Sequence, residues 1–209
     1  FEPMSGKPLD TLRAVMAESE IDTGVCPLPM AAGMVGYFGY DMVRQVEALP
    51  DANPDPIGIP ESMFMRPTMM VGFDNIEDTV TIVTPVRPAE GVSAEDAHAA
   101  AEARLAQVIR DLEKSLPHGA EPVAPTTLPE PVSNVTPERY KDMVARAKDY
   151  ILAGDIFQVV LAQRFSVPFS LPPFSLYRAL RRINPSPFLF YLDLGGFTLV
   201  GSSPEILVR

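Results

Sequence analysis

The residue types most open to chemistry lie in the run Gly154-Asp-Ile-Phe-Gln-Val-Val-Leu-Ala-Gln-Arg-Phe165, where the amide of Gln158 interrupts a series of apolar side chains. Successive side chains of a strand face opposite ways. As a strand, this run would place Phe157, Val159, Leu161, Gln163 and Phe165 on one face and Gln158, Val160, Ala162 and Arg164 on the other. The second face is small in its middle and polar at both ends, which suits a floor under a compact polar ligand. It equally suits a core strand with one hydrogen-bonded glutamine, since most buried polar groups are satisfied structurally. Absences narrow the chemistry further. No GxGxxG opens a helix after a strand, and neither GxxxxGK[ST] nor HExxH occurs. His98 and His118 fall in an expected surface helix and a proline-rich segment, so a histidine-centred triad or a His-rich metal site has no support. Cys26 is the single cysteine, which permits no intrachain disulfide and no CxxC or zinc spacing.

The elements that must position Gln158 follow from capping and periodicity. Thr136 as N-cap, Pro137 at the first helical position and Glu138 beside the positive helix end start a helix. Tyr140, Met143, Val144, Ala147, Tyr150 and Ile151 form its apolar stripe, and Gly154 ends it. After Pro172 and Pro173 a short helix is expected over 175–183, broken by Asn184-Pro-Ser-Pro187. Residues 188–193 and 197–201 read as a hairpin around Gly195-Gly196, followed by one more strand after Glu205. Upstream, Gly33-Met-Val-Gly-Tyr-Phe-Gly-Tyr40 reads as a buried strand whose backbone is closely approached at its glycines, with Asp41 capping a short helix to about Val46. Residues 62–73 and 79–86 read as strands joined by an Asp74–Asp78 turn. Ser93 and Asp96 resemble a capping box, opening a helix with apolar positions Ala97, Ala101, Leu105, Val108, Ile109 and Leu112. Hairpins and helices in this order make the fold class α+β. Three regions are expected: 1–116 with buried strands, a hairpin and one long helix; a proline-rich linker over 117–135; and a second domain over 136–209.

Composition bounds the partners. Hydrophobic residues make up 46% of the 209, enough for a core, while the 23 prolines are about twice the usual share. A net charge of −10 argues against nucleic acid or an anionic membrane, both of which need clustered basic surface. A small anionic substrate stays compatible, because one or two arginines can override the global field locally. The uncharged stretch from Gly24 to Tyr40 contains Pro27, Pro29 and several glycines and is a poor membrane span. With no signal peptide, a cytoplasmic location is expected. The chain opens on Phe1 and closes on Arg209 within a strand-like run, so an internal piece of a longer polypeptide is expected.

Three ordered segments, Gly154 to Phe165, Asn184-Pro-Ser-Pro-Phe-Leu-Phe-Tyr191 and Gly201-Ser-Ser-Pro-Glu-Ile-Leu-Val-Arg209, together resemble the chorismate-utilising enzymes, specifically component I of anthranilate synthase. Gly36-Tyr-Phe-Gly-Tyr-Asp41 resembles the same family's N-terminal region. The resemblance runs over essentially the whole chain. It implies a two-sheet, mostly antiparallel sandwich flanked by helices, of which this chain holds an incomplete N-terminal and central part. It also implies an activity: chorismate and ammonia, the latter drawn from glutamine by an amidotransferase subunit, become anthranilate and pyruvate in tryptophan biosynthesis. Mg²⁺ is the implied cofactor and tryptophan the implied feedback inhibitor.

Residue roles follow only through that resemblance. Relatives that add water to chorismate carry a lysine base at the position matched by Gln158. Water needs deprotonation to attack, whereas neutral ammonia needs only orientation, which an amide supplies. Glu205 matches the family's general acid: the C4 hydroxyl of chorismate is a poor leaving group, and a carboxyl protonated near neutral pH, as burial or a neighbouring carboxylate would make it, contributes on the order of 10²–10⁴ in rate. Asn184, Pro185, Pro187, Phe188 and Leu189 match a segment lining the tryptophan site, with the prolines holding an extended turn, Asn184 offering polar contacts and Phe188 and Leu189 apolar contact for an indole. The family usually has methionine where Leu189 stands. A rigid helix-to-strand turn is the competing reading of this segment. The Mg²⁺-binding glutamates, a catalytic histidine and a carboxylate-binding arginine are expected downstream of Arg209, and the 209 residues alone are expected to be inactive. Alternatives are aminodeoxychorismate synthase, which shares the glutamine and acid but retains the pyruvyl group, and a non-catalytic tryptophan-binding regulatory module. A water-adding isochorismate or salicylate synthase fits less well, because position 158 is not lysine.

Overall fold

The computed structural model describes the chain except residues 22, 23, 25, 27, 29, 88, 116–126, 207 and 209. Its contacts divide it into two units, Phe1–Pro117 and His118–Arg209. His118, Pro117, Pro122 and Pro125 lie outside the described residues.

The first unit is organised by glycines that let two strands meet. Strand β1 (Val35–Phe38) pairs antiparallel with β2 (Ser62–Met65), with Gly36 opposite Phe64. A Cβ on Gly36 would overlap the Met63 carbonyl oxygen and approach Phe64 Cα to 2.7 Å, so only glycine fits this register. Gly39 donates its N–H to the Glu61 carbonyl at 2.6 Å and starts a 3-10 helix over Tyr40–Gln45. The α-helical cap expected of Asp41 does not form. The turn is launched one residue earlier at Gly39, which leaves Asp41 inside it, paired with Arg44 at 2.9 Å. The strand expected over 62–73 is interrupted after Met65, where Arg66 precedes Pro67, and resumes as β3 (Met70–Asp74).

Strand β3 forms the expected hairpin with β4 (Thr79–Val83). Asp74 holds the turn, its carboxylate accepting the N–H groups of Ile76 at 2.8 Å and Glu77 at 3.0 Å. Those bonds, Glu77's first and then Ile76's, keep the Asp74 carboxyl below its ordinary pKa.

Two helices complete this unit. Pro8 at its start, Asp10 in its first turn and the spacing of Leu9, Leu12 and Met16 form α1 (Pro8–Glu18), which the sequence reading did not anticipate. Helix α2 (Ala94–Leu112) begins where expected, with the Ser93 hydroxyl accepting the Asp96 N–H at 3.0 Å. Of its apolar stripe, Ala101 is buried, whereas Ile109 and Leu112 are about half exposed.

The second unit begins within the segment read as a linker: Val132–Ser133 forms β5, paired with β6 (Phe165–Ser166). Helix α3 (Pro137–Ala153) starts on Thr136, whose hydroxyl accepts the Arg139 N–H at 3.2 Å, and stops on Gly154 at φ +83°. Both caps are those the sequence implied. Its stripe is not a core face, since no residue of α3 is buried and Tyr150 and Ile151 are exposed.

Helix α4 (Pro173–Ile183) then packs on the hairpin of β7 (Phe188–Asp193) and β8 (Thr198–Ser203). Asp193 accepts the Gly195 N–H at 3.1 Å in the hairpin turn, and Leu194 beside it is buried. The strand expected after Glu205 carries no ladder at 205, 206 or 208, and residues 207 and 209 lie outside the described residues. Among the described residues, no helix is long and apolar enough to cross a membrane.

Candidate active site

Helix α4 positions the second of the three motif segments. Phe174, Tyr177 and Tyr191 form an aromatic cluster with ring centroids 5.2–6.0 Å apart, which fastens the helix to β7. The helix ends as Asn184 donates its N–H to the Leu180 carbonyl at 2.8 Å, and Pro185 cannot continue it. The chain turns through Pro185-Ser-Pro187 and enters β7 at Phe188.

The hairpin register brings that turn against the third segment. Phe188 faces Ser203 and Leu189 faces Ser202. Side chains then tie the two backbones together: the Ser202 hydroxyl donates to the Asn184 carbonyl at 3.0 Å, and the Ser186 hydroxyl donates to the Ser203 carbonyl. Pro204 lacks an N–H and ends the ladder. Glu205 follows, its backbone N–H donating to the Ser203 hydroxyl at 3.3 Å. The sites expected for inhibitor and acid are therefore two sides of one hairpin end.

The sequence-predicted side chains stand as follows. Asn184, Pro185, Pro187 and Phe188 are exposed and Leu189 is half-buried. The Asn184 amide makes no hydrogen bond among the described residues, so it and the Phe188 ring are open to a ligand. Glu205 is exposed, and its carboxylate has neither an ion pair nor a hydrogen bond among the described residues. The burial that an acid role requires is not supplied by the residues around it here.

Gln158 departs further from expectation. The strand expected over 154–165 is reduced to its last residues, because a strand persists only where a neighbour accepts its ladder bonds. That neighbour exists at one end: Val132–Ser133 pairs with Phe165–Ser166, and Asn134 donates its N–H to Arg164 at 2.9 Å. Residues 156–164 have no partner strand among the described residues, and the chain bends at Phe157. Phe157 is 94% and Val160 82% exposed, and Gln158 is itself exposed, so the run does not form the floor that an alternating strand would have supplied. Among the described residues no hydrogen bond or ion pair joins Gln158 to Glu205 or to the 184–189 turn. The structure joins two of the three motifs and leaves the first apart.

Other places carry less. A cavity of about 480 Å³ in the first unit, lined by Leu12, Met16, Met34 and Phe64 among others, contains none of these residues. His98 lies on α2 at 3.8 Å from Glu102. No group of three or more His, Cys, Asp or Glu among the described residues could hold a metal ion, so these residues do not fit an Mg²⁺ site. The side chains at this hairpin end that sequence reasoning passed over are the hydroxyls of Ser186, Ser202 and Ser203, which make its side-chain hydrogen bonds. Their signal was the run Gly201-Ser-Ser-Pro204, two small hydroxyl residues placed just before a ladder-ending proline.

Comparison with known proteins decides the family. The model of the chorismate binding enzymes matches residues 3–209. The chain belongs to that family. Anthranilate synthase component 1 of Cereibacter sphaeroides is 50% identical over 209 residues, covering 100% of this chain and 42% of that protein. Its counterpart in Thermus thermophilus is 43% identical over 181 residues, covering 87% of this chain and 37% of that one. The crystal structure of anthranilate synthase component I from Streptococcus pneumoniae TIGR4 superposes with a TM-score of 0.79 at 31% identity, over 98% of this chain and 45% of that chain. This chorismate binding enzyme chain thus spans about two fifths of the length of the curated relatives it matches. Its α+β class and partial chorismate-utilising fold agree with the sequence reading, with the strands among the described residues arranged as four two-stranded antiparallel ladders.

Proposed function

We propose that the whole protein is the chorismate-converting component of an anthranilate synthase. It combines chorismate with ammonia, supplied from glutamine by an amidotransferase subunit, to form anthranilate and pyruvate in tryptophan biosynthesis. The observation that carries this reading is the 50% identity, over 209 residues and 100% of this chain, to a protein named for that activity. Membership of the chorismate binding family supports the substrate.

In this reading Glu205 donates a proton to the C4 hydroxyl of chorismate as the C–O bond breaks, so that water leaves instead of hydroxide. Gln158 orients ammonia without competing as a base. The turn carrying Asn184, Pro185, Pro187, Phe188 and Leu189 contributes to a tryptophan site for feedback inhibition. Its exposed amide and ring support that role. The 209 residues alone are inactive, since Glu205 and Gln158 are both exposed and not joined. The protein acts in the cytoplasm.

The test is steady-state kinetics of the whole protein with chorismate and ammonia. Glu205→Gln is expected to lower kcat by about 10²–10⁴ with little change in the KM for chorismate. Near-normal turnover sinks the acid assignment. Gln158→Lys is expected to abolish amination or divert product to hydroxylated chorismate derivatives; unchanged anthranilate formation counts against the role of Gln158.

A further inference from the structure

Three serine hydroxyls make separate, neighbouring bonds between the end of α4 and the segment that leads to Glu205. The Asn184 carbonyl accepts from Ser202 at 3.0 Å, the Ser203 carbonyl accepts from Ser186, and the Ser203 hydroxyl accepts the Glu205 N–H at 3.3 Å. The Ser186 hydroxyl also accepts the Phe188 N–H at 3.4 Å. None of these bonds belongs to the hairpin ladder, which Phe188↔Ser203 closes. Pro185, Pro187 and Pro204 have no N–H to give, so backbone bonds cannot take over from the side chains at these places. The path of the chain from Ser203 to Glu205 therefore depends on hydroxyls: the Ser186 bond ties Ser203 itself to the 184–187 turn, and the Ser202 bond ties the residue just before it.

We propose that Ser186 and Ser202 are positioning residues that fasten the 184–187 turn to the segment carrying Glu205, so that a molecule held by the turn and the carboxyl of Glu205 answer to the same hydrogen bonds. This rests on the reading of Glu205 as the acid and of the turn as the tryptophan site. The physical content is a coupling. A ligand that favours one arrangement of the turn shifts the acid only through contacts that connect them. Removing either hydroxyl leaves the turn and the acid in place but loosens the connection.

The experiment uses the whole protein and its Ser186→Ala, Ser202→Ala and Ser202→Thr variants, with anthranilate formation from chorismate and ammonia measured with and without saturating tryptophan, and tryptophan binding measured by calorimetry. Each alanine variant is expected to lose about 2- to 12-fold in kcat, the span of one net hydrogen bond, with the KM for chorismate within twofold. Both alanine variants are expected to bind tryptophan within about threefold of wild type while keeping a larger fraction of their activity when saturated with it. Ser202→Thr retains a hydroxyl and is expected to restore kcat and inhibition, which a merely structural role does not require. Wild-type kcat and wild-type inhibition in both alanine variants overturn the proposal, and so does a loss that threonine fails to rescue. Wild-type protein that forms no anthranilate overturns the functional reading and the serine role with it, an outcome separable from failure in the variants alone.

Discussion

Substituting Gly36 by alanine adds one methyl group at the most closely approached of the first unit's described glycines. Its Cβ would overlap the Met63 carbonyl oxygen and stand 2.7 Å from Phe64 Cα and 2.8 Å from Phe64 Cδ1. A rotation of the Phe64 ring relieves only the last contact. The other two atoms are backbone of β2, directly across the ladder from Gly36. The strands must part at this register for the methyl to fit, and overpacking of this kind costs about 1–3 kcal/mol. That corresponds to roughly a 5- to 150-fold rise in local opening. Gly201→Ala supplies the contrast, since its Cβ would meet only the Phe190 ring, which is 42% exposed and free to swing outward. Its cost is expected to stay below about 1 kcal/mol. Amide hydrogen exchange of the whole protein, followed in β1 and β2 for the first variant and in β7 and β8 for the second, reads both. Protection of β1 and β2 within twofold of wild type in Gly36→Ala refutes the close-approach argument.

Other expectations follow from caps and charge. Thr136→Ala removes the acceptor of the Arg139 N–H and is expected to destabilise the start of α3 by about 1 kcal/mol, with Thr136→Ser near wild type, read as amide exchange at residues 138–140. Gly154→Ala forces an L side chain into φ +83° and is expected to cost about 1–2 kcal/mol at the end of α3, seen as fraying of its last turn; unchanged protection there contradicts the left-handed cap. Asp74 is expected to titrate below the ordinary value of 3.8 by NMR. Because its folded pKa is depressed, its contribution to the β3–β4 hairpin is present above the ordinary value and lost as pH falls through the folded one. A titration at or above the ordinary value refutes the part played by the Glu77 and Ile76 N–H groups.

The contrast between α3 and the run that follows it marks what a sequence exposes. Thr136, Pro137 and Gly154 act on their immediate neighbours, so both ends of the helix were legible without knowledge of the rest of the protein. The same holds for the Asp74 turn and the Ser93 cap. Strand formation over 154–165 depends instead on a partner that local pattern does not specify. Alternation of side chains anticipated a strand, and only Phe165–Ser166 found a neighbour. Asp41 shows a smaller version of the same thing, because the start of its helix is set by the Gly39 bond to Glu61 across the ladder. Within the candidate site, Asn184 and Glu205 were singled out only through family resemblance, and the serines between them were not singled out at all. Their contacts follow from the hairpin register, which places Leu189 opposite Ser202 and is visible only once the strands are paired.

The central claim is tested most directly by the products of the whole protein supplied with chorismate, ammonia and Mg²⁺. The account predicts anthranilate, detected by its fluorescence, and pyruvate in equal amounts, both abolished or strongly reduced by Glu205→Gln. An aminated product that retains its pyruvyl group, with no pyruvate released, contradicts it.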